Sequence, residues 1–283
     1  MPEIAVIETA AALAKAVRHW RNEGQRIALV PTMGGLHEGH LSLIDRAREK
    51  ADRIVVSIFV NPAQFGPDED FAAYPRDPER DLGLLAGRGA DAAYVPEVAE
   101  IYPPGFATLI SPAGVAEGLC GAARPGHFAG VATVITRLFL QCRPDMAVFG
   151  EKDYQQLLVI RQVTRDLGLG VAITGAPIVR EDDGLALSSR NLYLDRRQRR
   201  LAPGLYRILS ETARAIEGRA NIGEQLAWAY EALTAEGFDT VDYVELRDAE
   251  TLAPVSRLDG PSRLLAAARL GPTRLIDNLP VNN

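Results

Sequence analysis

The sequence is poor in cysteine. Cys120 and Cys142 are the two cysteines among 283 residues, and they lie far apart without a CxxC arrangement. Two cysteines are too few for the disulfide framework of a small secreted domain. We therefore expect two reduced, buried thiols in a protein whose core is held by packing alone.

Long apolar stretches and an excess of positive charge are also missing. No uninterrupted apolar run approaches the roughly 18 residues that a membrane span needs, and the first residues do not resemble a secretory signal peptide. The chain has 31 basic and 37 acidic residues, a net charge of -6, so no global positive field attracts nucleic acid. We expect a cytoplasmic protein without membrane or nucleic-acid partners.

What is present is the composition of a globular protein, with 47% hydrophobic residues. Strands and helices alternate up to about residue 180, which predicts a parallel sheet. The fold class we predict is α/β, with a Rossmann-like parallel sheet in residues 1–182 and a smaller α+β domain in residues 183–283. Local expectations include a strand at 108–110, a loop at 121–130 before a helix at 131–141, helices at 196–219 and 222–236, and strands near 241–246, 263–269 and 274–276.

Glycines and histidines gather where the first strong strand ends. The run PTMGGLHEGH (residues 31–40) follows an apolar stretch and precedes apolar residues at helical spacing. In an open α/β sheet such a turn lies at the carboxyl end of a strand, where ligands bind. His37 and His40, three positions apart, share one side of this turn, and the glycines let the backbone approach a ligand closely.

Imidazoles at this turn could donate to phosphate oxygens and stabilise developing charge. The alternative is that they are ordinary turn histidines beside cap glycines, but two histidines at one strand end favour a ligand site. Zinc binding is a weaker interpretation, because His-Glu-Gly-His lacks the HExxH spacing. We therefore predict an anion site here.

A second strand end carries Gly150-Glu151-Lys152-Asp153 and opens a helix. Lys152 could act as a cation for phosphate, and lysine is rare in a chain whose basic residues are mostly arginine. The alternative is an exposed helix start, with Asp153 favourable at the positive end of the helix dipole. Taken alone, this motif favours the alternative.

Polar groups recur in further loops. Leu187-Ser188-Ser189-Arg190 offers two hydroxyls and a guanidinium that suit phosphate recognition, although a solvated turn remains open. Arg124 and His127 form a similar candidate. Asn61 and Gln64 follow another strand, where they could orient a small substrate or simply form an Asn-Pro turn. The shared placement of these motifs at strand ends predicts one phosphate-rich cleft.

Six runs occur in order along the chain: PTMG (31–34), HEGH (37–40), FVNPAQF (59–65), RPGHF (124–128), FGEKDYQQ (149–156) and DGLALSSRN (183–191). Together they resemble the pantothenate synthetase (pantoate–β-alanine ligase) family over nearly the whole chain. The co-occurrence is far more specific than the HxGH element, which alone is similar to that of class I aminoacyl-tRNA synthetases and nucleotidylyltransferases.

The resemblance implies a ligase of the coenzyme A pathway that condenses (R)-pantoate with β-alanine. ATP would activate pantoate as pantoyl adenylate with release of pyrophosphate, and the amine would then displace AMP to give pantothenate. Mg²⁺ would accompany the triphosphate, with protein ligands unknown, and the enzyme would be a homodimer. The 1–182 domain would bind ATP and pantoate, and the 183–283 domain would cover the active site.

The resemblance also implies roles for single residues. The catalytic residues would be His37, His40, Lys152 and Arg190. The nucleotide would be held by Met33, Gly34, Gly35, Leu36, His37, Glu38, Gly39, His40, Gly150, Glu151, Lys152, Asp153, Val179, Leu187, Ser188, Ser189 and Arg190. Pantoate would be held by Gln64 and Gln156, with Gln64 also near β-alanine, and the secondary candidates are Asn61, Arg124 and His127.

In that family the histidine that matches His40 is assigned as a proton donor. An ionised carboxylate needs no general base, and pyrophosphate leaves largely as an anion, so we interpret His40 as a stabiliser of phosphate charge. Residues 188–190 would close over the triphosphate and protect the adenylate from water. Two rivals are a nucleotidylyltransferase that stops at nucleotide transfer and a nucleotide-binding module without turnover.

Overall fold

The computed structural model describes residues 4–67 and 69–283. The signal-peptide expectation rests partly on the first three residues, which lie outside the described part. The chain divides into two compact units. The first comprises the described residues of Met1–Ala116, Arg124–Glu151 and Gln156–Pro177, and the second comprises Glu117–Ala123, Lys152–Gln155 and Ile178–Asn283. Among the described residues, no helix is both long and apolar enough to cross a membrane.

One parallel sheet organises the described residues of the first unit. Its strands are β1 (Ala5–Ile7), β2 (Ile27–Thr32), β3 (Arg53–Ile58), β4 (Ala92–Tyr94), β5 (Met146–Gly150) and β6 (Ala172–Ala176). They lie side by side in the order β1-β4-β3-β2-β5-β6, and each neighbouring pair is parallel. The predicted Rossmann-like α/β sheet is confirmed.

Both faces of this sheet are buried. Ile27, Leu29 and Val55 pack in one apolar cluster, whereas Ala28 and Val30 pack in another. Successive side chains of a strand point to opposite faces, so the two clusters lie on opposite sides of the sheet. A strand that is apolar at consecutive positions is the pattern expected when helices cover both faces.

Two helices of the first unit begin where the sequence supplies a side-chain cap. In chain order they are α1 (Ala10–Asn22), α2 (Glu38–Arg48), α3 (Pro78–Arg88), α4 (Val98–Ile101), α5 (Leu119–Ala123), which belongs to the second unit, α6 (His127–Cys142) and α7 (Tyr154–Asp166). Thr9 accepts a hydrogen bond from the Ala12 amide at the start of α1. Asp77 accepts from the Arg80 amide at the start of α3, where Pro78 occupies the first turn. These are the expected N-cap devices.

Two local predictions in this region are wrong. Residues 108–110 form no strand, and the Ile110 amide donates instead to Thr133 Oγ1 at 3.0 Å. The predicted loop at 121–130 is partly helical, because α5 covers its start and α6 already begins at His127. Gly126, with φ +83°, ends the turn directly before α6, so the glycines there mark a helix boundary rather than a long loop.

The second unit has the α+β character predicted for the C-terminal part of the chain. Its described part contains α8 (Arg196–Leu201), α9 (Gly204–Glu217), α10 (Ile222–Glu236), β7 (Thr240–Asp248), β8 (Ser262–Leu270) and β9 (Thr273–Val281). The strands form an antiparallel sheet in the order β7-β8-β9. Leu205 and Leu209 of α9 join Leu233 of α10 and Leu264 of β8 in its apolar core.

The single helix predicted at 196–219 is wrong. The chain forms α8 and α9 instead, with Pro203 as the N-cap residue of α9. Proline has no N–H to continue the hydrogen-bond pattern of the preceding turn. Gly204 then packs tightly, since a Cβ there would lie 2.7 Å from Glu236 Cγ. The break therefore serves the packing of α9 beside α10.

Both cysteines are free thiols, as predicted. Cys142 is 1% exposed, and burial raises its pKa to about 12. Cys120 is only partly buried, so the expectation of two buried thiols is wrong for this residue. Its sulfur lies 3.2 Å from the Tyr243 hydroxyl and 3.4 Å from Arg274 Nη1, so its surroundings are polar.

Candidate active site

The carboxyl ends of β2, β3 and β5 lie at one edge of the sheet, because these strands are parallel neighbours. The chain runs from β2 to β3 and β4 on one side and later returns to β5 on the other side. Open α/β sheets bind ligands in the crevice at such a switch point. The turn at 33–37, directly after β2, therefore occupies the place where this architecture binds ligands.

The strands β2 and β5 separate toward this edge. β2 pairs with β3 along its whole length but with β5 only at Ala28 and Leu29. The Ile27 carbonyl accepts from the Asp145 amide on the β5 side, so Pro31, an even number of residues further on, faces β5 as well. Proline has no N–H to donate, and the ladder between the two strands ends before it.

Thr32 and the buried Asp81 hold the turn at 33–37. Gly34 and Gly35 have φ of +85° and +62°, a region that favours glycine. The Gly34 amide donates to Thr32 Oγ1 at 3.3 Å. The Asp81 carboxylate accepts from the Gly35 and Leu36 amides at 2.9 and 2.8 Å and is 1% exposed. The carboxylate thus fixes two consecutive backbone amides.

Sequence reasoning missed Asp81. It lies on α3 four residues before Leu85, which is fully buried, so it is on the apolar side of the helix. A carboxylate on that face was the available signal, because a buried charge needs partners. Arg80 beside it donates to the Leu36 carbonyl at 3.0 Å. Two consecutive residues of α3 therefore hold the turn before the histidines.

His37 is the N-cap residue of α2, and His40 lies in the first turn. Their rings are 4.1 Å apart between centroids. His40 Nδ1 accepts from the His37 amide at 3.4 Å, so the neutral His40 ring carries its proton on Nε2. Both residues are partly buried. A helix N-terminus with an imidazole donor can stabilise an anionic oxygen.

Gln64 lies at the end of a short turn, Pro62–Gln64, that follows β3. Its Nε2 donates toward Met33 Sδ at 3.1 Å, and its Oε1 accepts from Asn61 Nδ2 at 3.0 Å. A residue predicted to bind pantoate therefore contacts the turn predicted to bind ATP. Both belong to the first unit.

The Asn61 side chain is buried and hydrogen-bonded to other groups of the protein. It is 1% exposed, its Oδ1 accepts from the Tyr102 hydroxyl at 2.7 Å, and its Nδ2 also donates to the Gly130 carbonyl at 3.2 Å. A Cβ on Gly130 would lie 2.1 Å from the Ala63 oxygen, so α6 touches the backbone of the turn. These contacts fix the position of Gln64, whereas substrate contact by Asn61 stays a prediction.

Arg124 and His127 also reach Gln64, through its backbone. His127 Nδ1 lies 2.9 Å from the Gln64 carbonyl, and Arg124 Nη1 lies 3.0 Å from His127 Nε2. Because arginine can only donate, Nε2 accepts and the Nδ1–H donates to the carbonyl. Glu69 binds the Arg124 guanidinium through both oxygens at 2.6 Å. Burial raises the pKa of Glu69, but the hydrogen bond and charge of Arg124, together with the Gly66 amide, outweigh it and lower the pKa to about 2.

Gly150 ends β5, Glu151 follows it, and Gln156 lies in the first turn of α7. The Gln156 side chain is partly buried and, within the described part of the chain, makes no hydrogen bond to protein. Gln155, its neighbour, behaves differently: it is 4% exposed and is bonded to the Cys120 amide. Of the two glutamines, Gln156 is the one whose amide is available to a ligand.

In the second unit, Lys152 and Asp153 lie in a short turn, Glu151–Asp153. Lys152 Nζ is 3.9 Å from Asp153 Oδ2, and the lysine side chain is 21% exposed. The Lys152 carbonyl accepts from Asn278 Nδ2 at 3.0 Å. The backbone of this turn is therefore tied to β9.

The other residues predicted to bind the nucleotide in this unit flank a narrow hairpin. The Leu187 amide donates to the Val179 carbonyl at 3.0 Å. Ser188 then caps the turn Ser189–Tyr193 by accepting from the Arg190 amide at 3.3 Å. Ser189 is 6% exposed and is therefore more deeply buried than Ser188. Direct contact of these residues with substrate stays a prediction.

Comparison with known proteins gives a consistent result. A family model described as pantoate-beta-alanine ligase matches residues 5–280. The pantothenate synthetase of Paramagnetospirillum magneticum is 57% identical over 276 residues, which cover 98% of this chain and 97% of that protein. The pantothenate synthetase of Rhodospirillum rubrum is 56% identical and covers 99% of this chain and 100% of that protein.

Solved structures agree with the fold. The crystal structure of pantothenate synthetase from Thermus thermophilus superposes with a TM-score of 0.94 at 47% identity, covering 99% of this chain and all of that chain. That of pantoate-beta-alanine ligase from Francisella tularensis, complexed with β-γ ATP and β-alanine, has a TM-score of 0.83 at 33% identity and covers 98% of this chain and 97% of that chain. With nearly its whole length matched in this way, the chain belongs to the pantoate-beta-alanine ligase family.

Proposed function

We propose that the chain condenses (R)-pantoate with β-alanine at the expense of ATP, giving pantothenate, AMP and pyrophosphate through a pantoyl adenylate. The observation that carries this proposal is the contact of Gln64 Nε2 with Met33 Sδ at 3.1 Å. Met33 opens the turn that we expect to bind ATP, and Gln64 is the residue that we expect to bind pantoate. A carboxylate and an α-phosphate held by these two residues would meet. The Francisella relative complexed with β-γ ATP and β-alanine supports both substrates.

The first step is nucleotidyl transfer to pantoate. A carboxylate oxygen attacks the α-phosphorus, the new O–P bond forms, and the bond to the bridging oxygen of the β-phosphate breaks. Pyrophosphate leaves with that electron pair. The carboxylate is already ionised near neutral pH, so catalysis consists mainly of positioning and charge stabilisation.

His40 is the residue that we assign to charge stabilisation at phosphorus. Its Nε2–H can donate to a phosphate oxygen because Nδ1 is turned to the His37 amide. His37 and the α2 N-terminus add donors to the same anion. Lys152 and Arg190 would neutralise the departing phosphates, since a cation lowers the energy of that charge.

The remaining nucleotide contacts fall to backbone and short polar groups. We assign the phosphates and base to the glycines of the turn, Gly150, Val179 and residues 187–189, and the ribose hydroxyls to Asp153. The nucleotide contacts that we propose also include Met33, Leu36, Glu38 and Glu151.

The second step forms the amide. The neutral amine of β-alanine attacks the acyl carbon of the adenylate, a C–N bond forms, the C–O bond to AMP breaks, and the amine releases a proton to solvent. In our proposal Gln64 lies near this reaction, because we expect it to bind both pantoate and β-alanine. Selectivity for pantoate rests on Gln64 and Gln156, whose amides can bind its hydroxyls and carboxylate.

Mg²⁺ would enter with the triphosphate. In the described residues, no group of three or more His, Cys, Asp or Glu side chains is arranged to hold a metal ion. This donor set fits Mg²⁺ only as an ion bound mainly by phosphate and water, which is its common mode with nucleotides. Bound in that way, it would offset phosphate charge, and no step above depends on a protein ligand to it.

Further parts of the proposal concern the whole molecule. We propose a homodimer in the cytoplasm, with functional domains 1–182 and 183–283 and with residues 188–190 protecting the adenylate. Hydrogen exchange of residues 183–193 tests the last point, and it should slow when ATP and pantoate are added together. If hydrogen exchange is unchanged, residues 188–190 do not close over the substrates.

The decisive experiment measures pyrophosphate and AMP with ATP, pantoate and Mg²⁺, with and without β-alanine. Pyrophosphate should form in both mixtures during the first turnover, and AMP should accumulate only with β-alanine. A nucleotidylated product that β-alanine does not consume would instead favour a nucleotidylyltransferase, and ATP binding without turnover would favour a binding module. His40→Ala and Lys152→Ala should each slow pyrophosphate release by orders of magnitude, and near-normal release from both would refute the assigned chemistry.

A further inference from the structure

We propose that Asp277 and Asn278, consecutive residues of β9, are positioning residues that set the two phosphate-binding segments of the second unit in register. Asn278 fixes the backbone of Lys152, and Asp277 fixes the hairpin that leads to Ser188. The inference rests on the proposed function, because Lys152 and Arg190 have their phosphate roles only there.

Asn278 holds the turn at Lys152 through its side-chain amide, whose nitrogen and oxygen are both hydrogen-bonded. Its Nδ2 donates to the Lys152 carbonyl at 3.0 Å, while its Oδ1 accepts from Arg263 Nε at 2.6 Å. The side chain is 2% exposed, so water does not compete for either bond. The Arg263 bond fixes which end of the amide faces Lys152.

Arg263 supports the same turn from a second side. Its guanidinium lies over the Tyr154 ring, 4.2 Å from the centroid, and the Tyr154 hydroxyl donates to the Ala249 carbonyl at 2.8 Å. The backbone on either side of Asp153 is therefore held at the carbonyl of residue 152 and at the ring of residue 154. A side chain at position 152 can point reproducibly only if that backbone is fixed.

Asp277 holds the second segment through Arg180. The carboxylate accepts from Arg180 Nη1 and Nη2 at 2.6 and 2.8 Å and is 3% exposed. Arg180 Nη1 also donates to the Gly184 carbonyl at 3.0 Å, and its guanidinium lies 3.9 Å from the Tyr206 ring centroid. Arg180 also forms a bridge with Ala186, two residues before Ser188, so the clamp sets where the serines begin.

Both anchors depend on one rigid strand. Consecutive residues of a strand are about 3.3 Å apart, and β9 is paired with β8 at these positions, Asp277 with Ala266 and Asn278 with Leu265. A shift of β9 would move Lys152 and the serine segment together. Buried ion pairs contribute little net stability compared with apolar residues of similar volume, so stability alone does not account for polar anchors at two successive buried positions.

The test is a double-mutant cycle on pyrophosphate release with Asn278→Asp and Lys152→Ala. Aspartate keeps the acceptor for Arg263 but replaces the donor to the Lys152 carbonyl with a carboxylate oxygen, so an attractive contact becomes a repulsive one. We expect Asn278→Asp to lower kcat at least about tenfold, because displacement of a reacting group by about 1 Å is that costly. In the Lys152→Ala background the same change should alter kcat less than about twofold, since the side chain that Asn278 positions is gone.

A parallel double-mutant cycle pairs Asp277→Asn with Arg190→Ala. In the Arg190→Ala background, Asp277→Asn should change kcat much less than it does in the native enzyme. Asn221→Asp is the matched control: Asn221 caps α10 through its side-chain oxygen, which aspartate retains, so kcat should not change. Circular dichroism checks that each variant is folded, and Asn278→Ala replaces Asn278→Asp in the cycle if the latter is not.

The outcomes separate two failures. Additive effects in both cycles, or a neutral Asn278→Asp and Asp277→Asn, would overturn the positioning inference while Lys152→Ala still slows pyrophosphate release. A Lys152→Ala variant with normal pyrophosphate release would overturn the phosphate role of Lys152 in the proposed function, and this inference with it. Non-additive loss in both cycles supports the inference.

Discussion

Replacing Asp81 by asparagine tests whether the turn at 33–37 must be held in one conformation for the chemistry. The carboxylate accepts from the Gly35 and Leu36 amides at 2.9 and 2.8 Å and is 1% exposed. Asparagine keeps the shape and one acceptor oxygen but turns an NH₂ group toward one of the two amides. One buried N–H therefore loses its acceptor and faces another donor.

The magnitude follows from these two bonds. A hydrogen bond to a charged group contributes about 1.5–3 kcal/mol, and an unsatisfied buried polar group costs about 1–3 kcal/mol. Because the two effects overlap on one amide, we expect the free energy of unfolding to fall by about 2–4 kcal/mol. The turn will also relax, and with it His40, so we expect kcat for pyrophosphate release to fall by about 10–100-fold.

The assay is pyrophosphate release at saturating ATP and pantoate, with urea unfolding measured on the same preparations. Asp77→Asn is the matched control, because it makes the same chemical change on the same helix at an exposed cap that binds one amide at 3.2 Å. The control should keep its kcat and lose at most about 1 kcal/mol of stability. An Asp81→Asn enzyme with normal stability and normal kcat would refute the reasoning, as would an equal loss of kcat in the control.

Two further predictions concern the surroundings of Gln64. Gly130→Ala should lower stability by about 1–3 kcal/mol and raise the pantoate KM, because the new Cβ would lie 2.1 Å from the Ala63 oxygen. Gly87→Ala is the control, since a Cβ at this position of α3 meets open space. It should leave pantoate kinetics unchanged in the same assay. Glu69→Gln should remove a pH-dependent contribution to the free energy of unfolding. The pKa of Glu69 is lowered from 4.5 to about 2 in the folded protein. The contribution of its carboxylate is therefore fully present above pH 4.5 and is lost as the pH falls toward 2. Urea unfolding at pH 6.5 and 3 should show the difference between native enzyme and variant shrinking at the lower pH, and a constant difference would contradict it.

Local signals in the sequence were sufficient for most elements. The β-branched run of β3 is typical of a buried parallel strand, and proline is common in the first helical turn that Pro78 occupies in α3, because these preferences act within a few residues. The histidine turn was also predictable, since glycines, histidines and helical spacing meet at one strand end. What these elements share is that their determinants lie next to one another in the chain.

Features that depend on distant partners were not predictable in this way. Asp81 holds a turn some 45 residues away, and nothing near it in the chain marks that partner. The strand predicted at 108–110 had suitable residues, but it pairs with no strand in the described part of the chain, and the Ile110 amide donates to Thr133 instead. Pro203 was a local signal for the break between α8 and α9, and the helix predicted at 196–219 runs across it.

The proline in β2 has a consequence for how this enzyme could evolve. Pro31 faces β5 without an N–H, so the ladder between the two central strands stays open at the end where ATP is expected to bind. A valine there would supply the missing donor and could extend the pairing by one residue, which would strengthen the sheet and narrow the crevice. Selection for stability and selection for turnover would then act on this position in opposite directions, a conflict common at active sites.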